Sequence, residues 1–177
     1  MLNVYLKQKL FLFFLILFLT VQCFCSEKSL VSTIQVEHAR SAEELRVGLM
    51  GRKTLNEDYG MLFHFPDSYH PSIWSFNCFI DLSVAFLDQD GVIQEIHNLI
   101  AYPELMSLLS EQEIEEVMNG KRFRHPVVSF FQQHAIRPQK PALYVIETRK
   151  GWFRDHHIRQ GDQVVWNDHE AFFYRQK

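Results

Sequence analysis

The sequence predicts an α+β domain with a small barrel-like, mostly antiparallel or mixed β-sheet, a few short helices and an inserted helical hairpin. Three observations predict this class. Short runs rich in β-branched and aromatic residues recur along the chain between brief polar turns. Two Ser-x-x-Glu capping boxes, at residues 41–44 and 110–113, each precede a helical pattern. About 150 residues follow an apolar N-terminal segment, which suits one domain over residues 26–177.

The elements follow from local chemistry. A first strand is predicted over residues 32–36, where β-branched residues alternate with polar ones. Ser41 then caps a helix predicted over residues 42–50, with Leu45 and Leu49 facing the sheet. Gly51 is expected to end this helix in the left-handed backbone conformation. Further extended segments are predicted at residues 60–65, 73–76, 80–87, 92–99, 143–147, 163–166 and 171–174, with a hairpin turn at 88–91 and a short helix at 150–156.

Residues 100–140 are predicted to form the helical insertion. The second capping box begins a helix that ends at residues 119–120, and His125 begins another whose apolar face lies within residues 127–131. This apolar face either packs over the sheet as a lid or presents a surface to a protein of the cell envelope. Packing is the favoured interpretation, because large exposed apolar patches are costly.

Residues 1–25 have the layout of a secretory signal. Lys7 and Lys9 precede an apolar run over residues 10–21, and Cys23 and Cys25 give a small-residue exit. The run is short for a membrane span, which needs roughly 20 apolar residues. Cleavage after Cys25 predicts an exported protein, periplasmic or secreted. An uncleaved N-terminal anchor in the membrane and acylation of Cys23 are the alternatives.

The net charge limits the classes of binding partner, and the cysteine count limits the possible disulfides. Without Lys7 and Lys9, 16 basic residues stand against 21 acidic ones. This acidic balance argues against nucleic acid, which needs a basic face that releases counterions. Cleavage after Cys25 would also leave Cys78 as a single thiol, so no intramolecular disulfide is expected.

Seven motifs then occur in a fixed order. They read RVGLMGR from residue 46, GMLFHFP from 60, WSFN from 74, AFLD from 85, YVIE from 144, GW from 151 and IRQGD from 158. The ordered series is similar to the domain of unknown function 192 family, over roughly residues 34–165. The resemblance implies a small compact fold and a shared site. It implies no reaction, because that family has no settled activity.

The chain departs from the family pattern at two places. Relatives generally carry Trp-Met-Lys-Asn-Thr and, a little later, Pro-Leu-Asp. Here Trp74 and Asn77 match, Phe76 replaces the Lys, and Asp81 stands two positions before the usual acid. The resemblance therefore implies weaker anion binding than in relatives that keep the Lys. The insertion at 100–140 also replaces a connection that is usually much shorter.

Four residues make up the predicted ligand site, Arg52, Trp74, Asn77 and Asp81. Trp74 offers a flat apolar wall with one N–H donor, Asn77 offers both donors and an acceptor, and Arg52 offers positive charge. The site is expected where residues 67–77 meet the corner at 50–52, and it would suit a small polar ligand with an apolar face. The structural alternatives are a core Trp74, an Asn77 that holds its own loop, and an Arg52 that complements the helix dipole.

No recognisable catalytic motif is present. The serines lack the glycines of a nucleophile elbow, and no Gly-rich loop could hold phosphate. Cys78 would need His64 or His97 beside it to lower its pKa. The nine histidines lack the spacing of a zinc site, so neither a metal nor a cofactor is predicted.

The sequence thus predicts an exported small-ligand-binding or accessory module of the cell envelope. The alternative is an uncharacterised hydrolase or transferase whose pocket contains Trp74, Asn77, Asp81 and a histidine. Clustering of Arg52, Asn77, Asp81 and a histidine in one concave pocket would favour the enzyme.

Overall fold

The computed structural model describes residues 27–121 and 124–176. The predicted signal segment at residues 1–25 lies outside these ranges. Within them, no helix combines the length and apolar character that a membrane crossing requires.

The described chain folds into strands and short helices in one continuous order. They are β1 (Lys28–Ala39), α1 (Ala42–Val47), β2 (Tyr59–Tyr69), β3 (Leu82–Leu87), β4 (Ile93–Leu99), α2 (Pro103–Met106), α3 (Glu111–Met118), α4 (Pro126–Gln133), β5 (Ala142–Arg149), α5 (Trp152–Asp155), β6 (Gln163–Trp166) and β7 (Glu170–Gln176).

The strands form one mixed sheet in the order β4-β3-β5-β2-β1-β7-β6. β1 and β2 run parallel, with α1 in their connection, and the other neighbouring strands run antiparallel. The sheet curls until its two edges approach each other, where Val92 bridges Gln163. There the Val164 N–H also donates to the Gly91 carbonyl at 2.8 Å. The result is a half-barrel with short helices, which confirms the predicted α+β class and barrel-like sheet.

Each face of the sheet has its own apolar core, because successive side chains of a strand point to opposite faces. Leu62 and Ile146 belong to the first core, which helix α5 completes. Phe63 and Val145, their neighbours in sequence, belong to the second core. Leu49, in the turn after α1, is buried in this second core. The second face is therefore the one on which α1 and its turn pack.

The insertion packs on the domain through its inward face. Its helices share a third core with the loop before β3, and the buried members are Phe76, Met106, Leu109, Val117, Val127, Val128 and Phe131. The rings of Phe76 and Phe131 meet edge to face at 5.5 Å between centroids, and Met50 and Trp74 pack against the same core. The insertion thus covers the 73–78 loop and the corner after α1. Its described residues form three helices, since α2 precedes the two that the sequence predicts.

Helix α1 ends three residues before the predicted end at residue 50. Gly48 stops it by adopting φ 50°, and the Gly48 N–H donates to the Glu44 carbonyl. Gly51 also has a positive φ, 78°, as predicted, but it lies in the turn that follows the helix. Leu45 packs beside the buried Leu49 against the second core, as predicted.

Three strand predictions differ from the structure. β1 (Lys28–Ala39) extends beyond the predicted residues 32–36 at both ends. β2 runs past Pro66, where the sequence predicts its end, because Tyr69 resumes pairing with Ala142 of β5 after a register shift. Residues 73–76 form a loop in place of the predicted extended segment, with one bridge between Ile73 and Ile136. The loop is held by the insertion, a contact that the local sequence does not encode.

Candidate functional site

A cavity of about 170 Å³ lies where helix α1 meets the sheet, and we call it the α1 cavity. Residues 45–50 form one wall, the loop at residues 72–78 contributes a second, and Phe63 and Glu147 come from β2 and β5. Val117 of the insertion also lines the cavity. The cavity therefore exists only once five separate parts of the chain have come together.

Glu147 is an acidic residue of this wall that is almost fully buried. It lies on β5 opposite Met61 of β2 and Val84 of β3, and it is only 5% exposed. Burial raises its pKa from 4.5 to about 8, although the charge of Arg52 acts to lower it. No hydrogen bond to its carboxyl is found among the described residues. At neutral pH the carboxyl is therefore protonated and can both donate and accept.

Arg46 brings a second ionisable side chain to the α1 cavity. It lies in the last turn of α1, and its stem passes beside Gly120, where an added Cβ would lie 3.5 Å from the Arg46 Cδ. Its Nη1 is buried and finds no hydrogen-bond partner in the part of the chain that the structure describes. A buried N–H without an acceptor costs free energy of folding.

Cys78 also lines the cavity, close to Glu147. Burial, and then the negative charge of Glu147, raise the pKa of its thiol to about 12. No histidine belongs to the cavity wall within the described ranges. The thiol therefore stays protonated and is not an activated nucleophile.

Trp74 has two roles in the structure. Its ring stacks on Phe76 at 5.2 Å between centroids and an interplanar angle of 22°, and it packs against the core of the insertion. The same residue lines the α1 cavity and is partly exposed. Trp74 is thus the one member of the predicted site that the structure brings into the cavity wall.

Asn77 fixes the loop beside the cavity. It adopts φ 53°, which is uncommon for a residue other than glycine. Its carbonyl accepts from the Gly51 N–H at 2.7 Å, and its Nδ2 donates to the Met118 Sδ at 3.2 Å. The bond from Gly51 joins the two segments that the sequence predicts to meet, and Asn77 acts there through its backbone position.

Arg52 and Asp81 make other contacts. The Arg52 Nη2 lies 2.5 Å from the Glu37 Oε1, so its charge is already paired, although it still acts on Glu147. Asp81 accepts from the Ala101 N–H and from the Lys150 Nζ, each at 2.9 Å. The carboxylate ties the start of the insertion to the turn after β5, outside the cavity wall. The clustering that would favour a hydrolase or transferase is therefore not observed.

The family model described as "Uncharacterized ACR", domain of unknown function 192, matches residues 24–166. The chain belongs to this family. No curated protein matches the chain.

Solved structures with a similar fold are also found. A crystal structure from Sinorhizobium meliloti 1021, provisionally named a transcription regulator, has 25% sequence identity and a TM-score of 0.54 over 73% of this chain and 79% of that chain. A protein of unknown function from Novosphingobium aromaticivorans DSM 12444 has 23% identity and a TM-score of 0.55 over 75% of each chain. The second likeness concerns the fold alone.

In this member of the domain of unknown function 192 family, the histidines considered as bases lie away from the thiol. The His38 Nδ1 and the His64 Nε2 form a hydrogen bond of 2.7 Å. Burial, and then the neighbouring His38, lower the pKa of His64 to about 4. His97 contacts Glu95 at 2.9 Å. Neither His64 nor His97 meets Cys78, and no group of three or more metal-ligating side chains is found in the ranges described.

Sequence reasoning missed Arg46 and Glu147 as site residues of this family member. Both stand inside the motifs that carry the family resemblance. A signal for Glu147 was available, since an acid interrupts the apolar run of residues 142–146 in a strand expected at the centre of the sheet. Arg46 gave no such signal, because a cation near the end of a helix is ordinarily a solvated side chain.

Proposed function

We propose that this protein binds a small organic molecule in the α1 cavity and acts as a non-catalytic binding module. One observation carries the proposal, the buried Glu147 carboxyl that lines the cavity without a hydrogen-bond partner among the described residues. A polar group buried in this way costs free energy of folding. Such groups are concentrated at functional sites, where a ligand supplies the missing partner.

The size of the cavity limits the ligand. Its volume of about 170 Å³ is close to that of an engineered protein cavity of about 150 Å³ that binds benzene. Apolar side chains such as Leu49, Phe63 and Ile73 form part of its wall. These features support a ligand of roughly the size of a substituted benzene, with an apolar body and a polar group.

The chemistry of the wall supports binding over catalysis. The Cys78 thiol is protonated, because burial raises its pKa to about 12. The wall has no histidine in the described ranges that could act as its base. We further propose that the module works outside the cytoplasm, which rests on the signal-like composition of residues 1–25.

Fluorine NMR with the neutral probe 4-fluorobenzyl alcohol tests the binding proposal. We expect the probe resonance to broaden with the purified protein and to stay sharp with a Val47→Phe variant, in which the larger ring occupies the cavity. Val165→Phe, on an exposed residue of β6, is the matched control and should behave as the wild type. Equal binding by the Val47→Phe variant would contradict the proposal.

A further inference from the structure

We infer that a groove between helices α1 and α3 docks a basic amphipathic helix of a partner protein. We call it the α1–α3 groove, and its volume is about 290 Å³. It is distinct from the α1 cavity, although Arg46 and Val47 line both. The inference goes beyond the proposed function, and neither depends on the other.

Three apolar side chains line the α1–α3 groove. They are Val47 from α1 and Ile114 and Met118 from α3, and each is partly exposed. Ile114 and Met118 are four positions apart, so they lie on the same face of α3. Apolar side chains of a partner would remove this surface from water, as when an amphipathic helix binds in a hydrophobic groove.

Three acidic side chains line the same groove. They are Glu43 from α1 and Glu111 and Glu115 from α3, and all three are exposed. Their carboxylates form no hydrogen bond or ion pair among the described residues. Glu111 and Glu115 are also one helical turn apart, where like charges repel. Basic side chains of a partner would supply the opposite charge on both helices.

The other acidic residues of α1 and α3 have partners within the chain. Glu44 and Glu113 each accept from the backbone N–H of their N-cap serine at 2.8 Å. Glu116 pairs with Lys121 at 3.1 Å. None of these three lines the groove. The acidic residues without a partner are therefore those that line the groove, which supports a role for them in binding.

The charge of the groove selects among partners. Arg46 is the one basic residue of the lining within the described ranges, and its Nη1 is buried. The lining therefore carries three carboxylates and one guanidinium. This balance favours a partner with lysine or arginine side chains. It disfavours nucleic acid and anionic lipid surfaces, which need a basic face.

The size of the groove favours a protein partner over a small molecule. Its volume of about 290 Å³ lies at the lower limit for pockets that enclose a drug-sized ligand, roughly 300 Å³. It has room for a few apolar side chains of a larger partner. A helix with one apolar stripe between basic residues matches both parts of the lining.

Fluorescence anisotropy with three labelled peptides of equal length tests the inference. The first is an amphipathic helix of leucine and lysine, and the second carries glutamate in place of lysine. The third has the composition of the first in an order that does not segregate the leucines. We expect only the first peptide to bind, and we expect its affinity to fall as the salt concentration rises.

Variants of the acidic residues locate the binding. Glu111→Gln combined with Glu115→Gln should weaken binding of the first peptide by about fivefold, as the loss of two exposed ion pairs does. The matched control combines Asp90→Asn with Glu170→Gln, on exposed residues outside the groove, and should bind as the wild type does. Amide chemical shifts of the wild type should change at residues 43–47 and 111–119 when the first peptide is added.

Several results would overturn the inference. Equal binding of the glutamate peptide or of the reordered peptide would show that charge or the apolar stripe is not recognised. Equal affinities for the two double variants, or shift changes confined to other surfaces, would place the binding elsewhere. No binding of the first peptide would also overturn it and would leave the α1 cavity proposal unaffected. The peptide ranking and the shift changes use the wild type, so they decide the inference even if a variant does not fold.

Discussion

The Glu147 carboxyl and the Cys78 thiol lie in the wall of one cavity, close enough that the charge of Glu147 raises the pKa of the thiol. Burial is the larger cause of the raised pKa of each group. At neutral pH both groups are therefore uncharged. The cavity wall therefore contains two polar groups that are both neutral.

We expect the protein to lose stability as the pH rises from about 7 to 8, because of Glu147. The carboxyl titrates near its ordinary pKa of 4.5 in the unfolded chain and near 8 in the folded protein. Between these values the folded protein alone keeps the proton, so rising pH lowers the free energy of unfolding by up to about 1.4 kcal/mol per pH unit. Of the groups that interact with it, Arg52 remains charged, because its pKa is raised, and Cys78 remains protonated over this range.

Urea unfolding at several pH values measures this effect. The Glu147→Gln variant cannot titrate, so its stability should change less than that of the wild type over the same range. His64 acts in a different window, because its pKa falls from 6.5 to about 4 on folding. Its contribution is complete above about pH 6.5 and is lost as the pH falls towards 4. Equal slopes for the wild type and Glu147→Gln between pH 7 and 8 would contradict the raised pKa.

Gly48→Ala should destabilise the protein more than Gly51→Ala. Gly48 adopts φ 50° and ψ −131°, a conformation essentially restricted to glycine, and a Cβ there would lie 3.0 Å from the Phe63 ring. Gly51 also has a positive φ, but a Cβ there would meet no described atom within 4 Å. We expect losses of about 2–4 kcal/mol for Gly48→Ala and about 1 kcal/mol for Gly51→Ala. Equal losses in urea unfolding would show that the Phe63 contact is unimportant.

Asp162→Asn should cost several times more stability than Asp155→Asn. Asp162 is 1% exposed and accepts from the Arg175 Nε and Nη2 at 2.9 and 2.7 Å and from the Arg159 N–H at 2.9 Å. An asparagine would leave this bidentate pair with one oxygen fewer. Asp155 pairs with the exposed Arg154 in water, where ion pairs contribute little. Similar melting temperatures for the two variants would contradict this ranking.

The mature protein is expected to begin near Ser26. Cleavage after Cys25 follows from the signal-like residues 1–25. Mass spectrometry of the intact protein from the envelope fraction measures the N-terminus directly. An intact segment from Met1 would indicate an anchor, and an added acyl mass on Cys23 would indicate a lipoprotein.

Local chemistry allowed the sequence to predict where several elements begin. The Ser41 Oγ accepts from the Glu44 N–H at 3.2 Å, and the Ser110 Oγ accepts from the Glu113 N–H at 3.3 Å, so both capping boxes form. The Asp88 Oδ1 accepts from the Val92 N–H at 2.9 Å and closes the predicted hairpin. Each interaction joins residues at most four positions apart, which is why a short segment contains its signal.

The α1 cavity could not be predicted in this way, because contacts distant in sequence create it. Glu147 enters it only because β5 inserts between β2 and β3. Trp74, predicted from the family motif and from its side-chain chemistry, does line the wall. Asp81, chosen on the same grounds, instead pairs with Lys150. The chemistry of a side chain suggested candidates, but strand order decided which of them share a cavity.

A crystal of the protein soaked in 4-bromobenzyl alcohol tests the central claim most directly, because the anomalous signal of bromine locates the ligand. We expect the bromine peak inside the α1 cavity, with the hydroxyl within hydrogen-bonding distance of the Glu147 carboxyl. A bromine found only on the protein surface, or a hydroxyl turned away from Glu147, would contradict it.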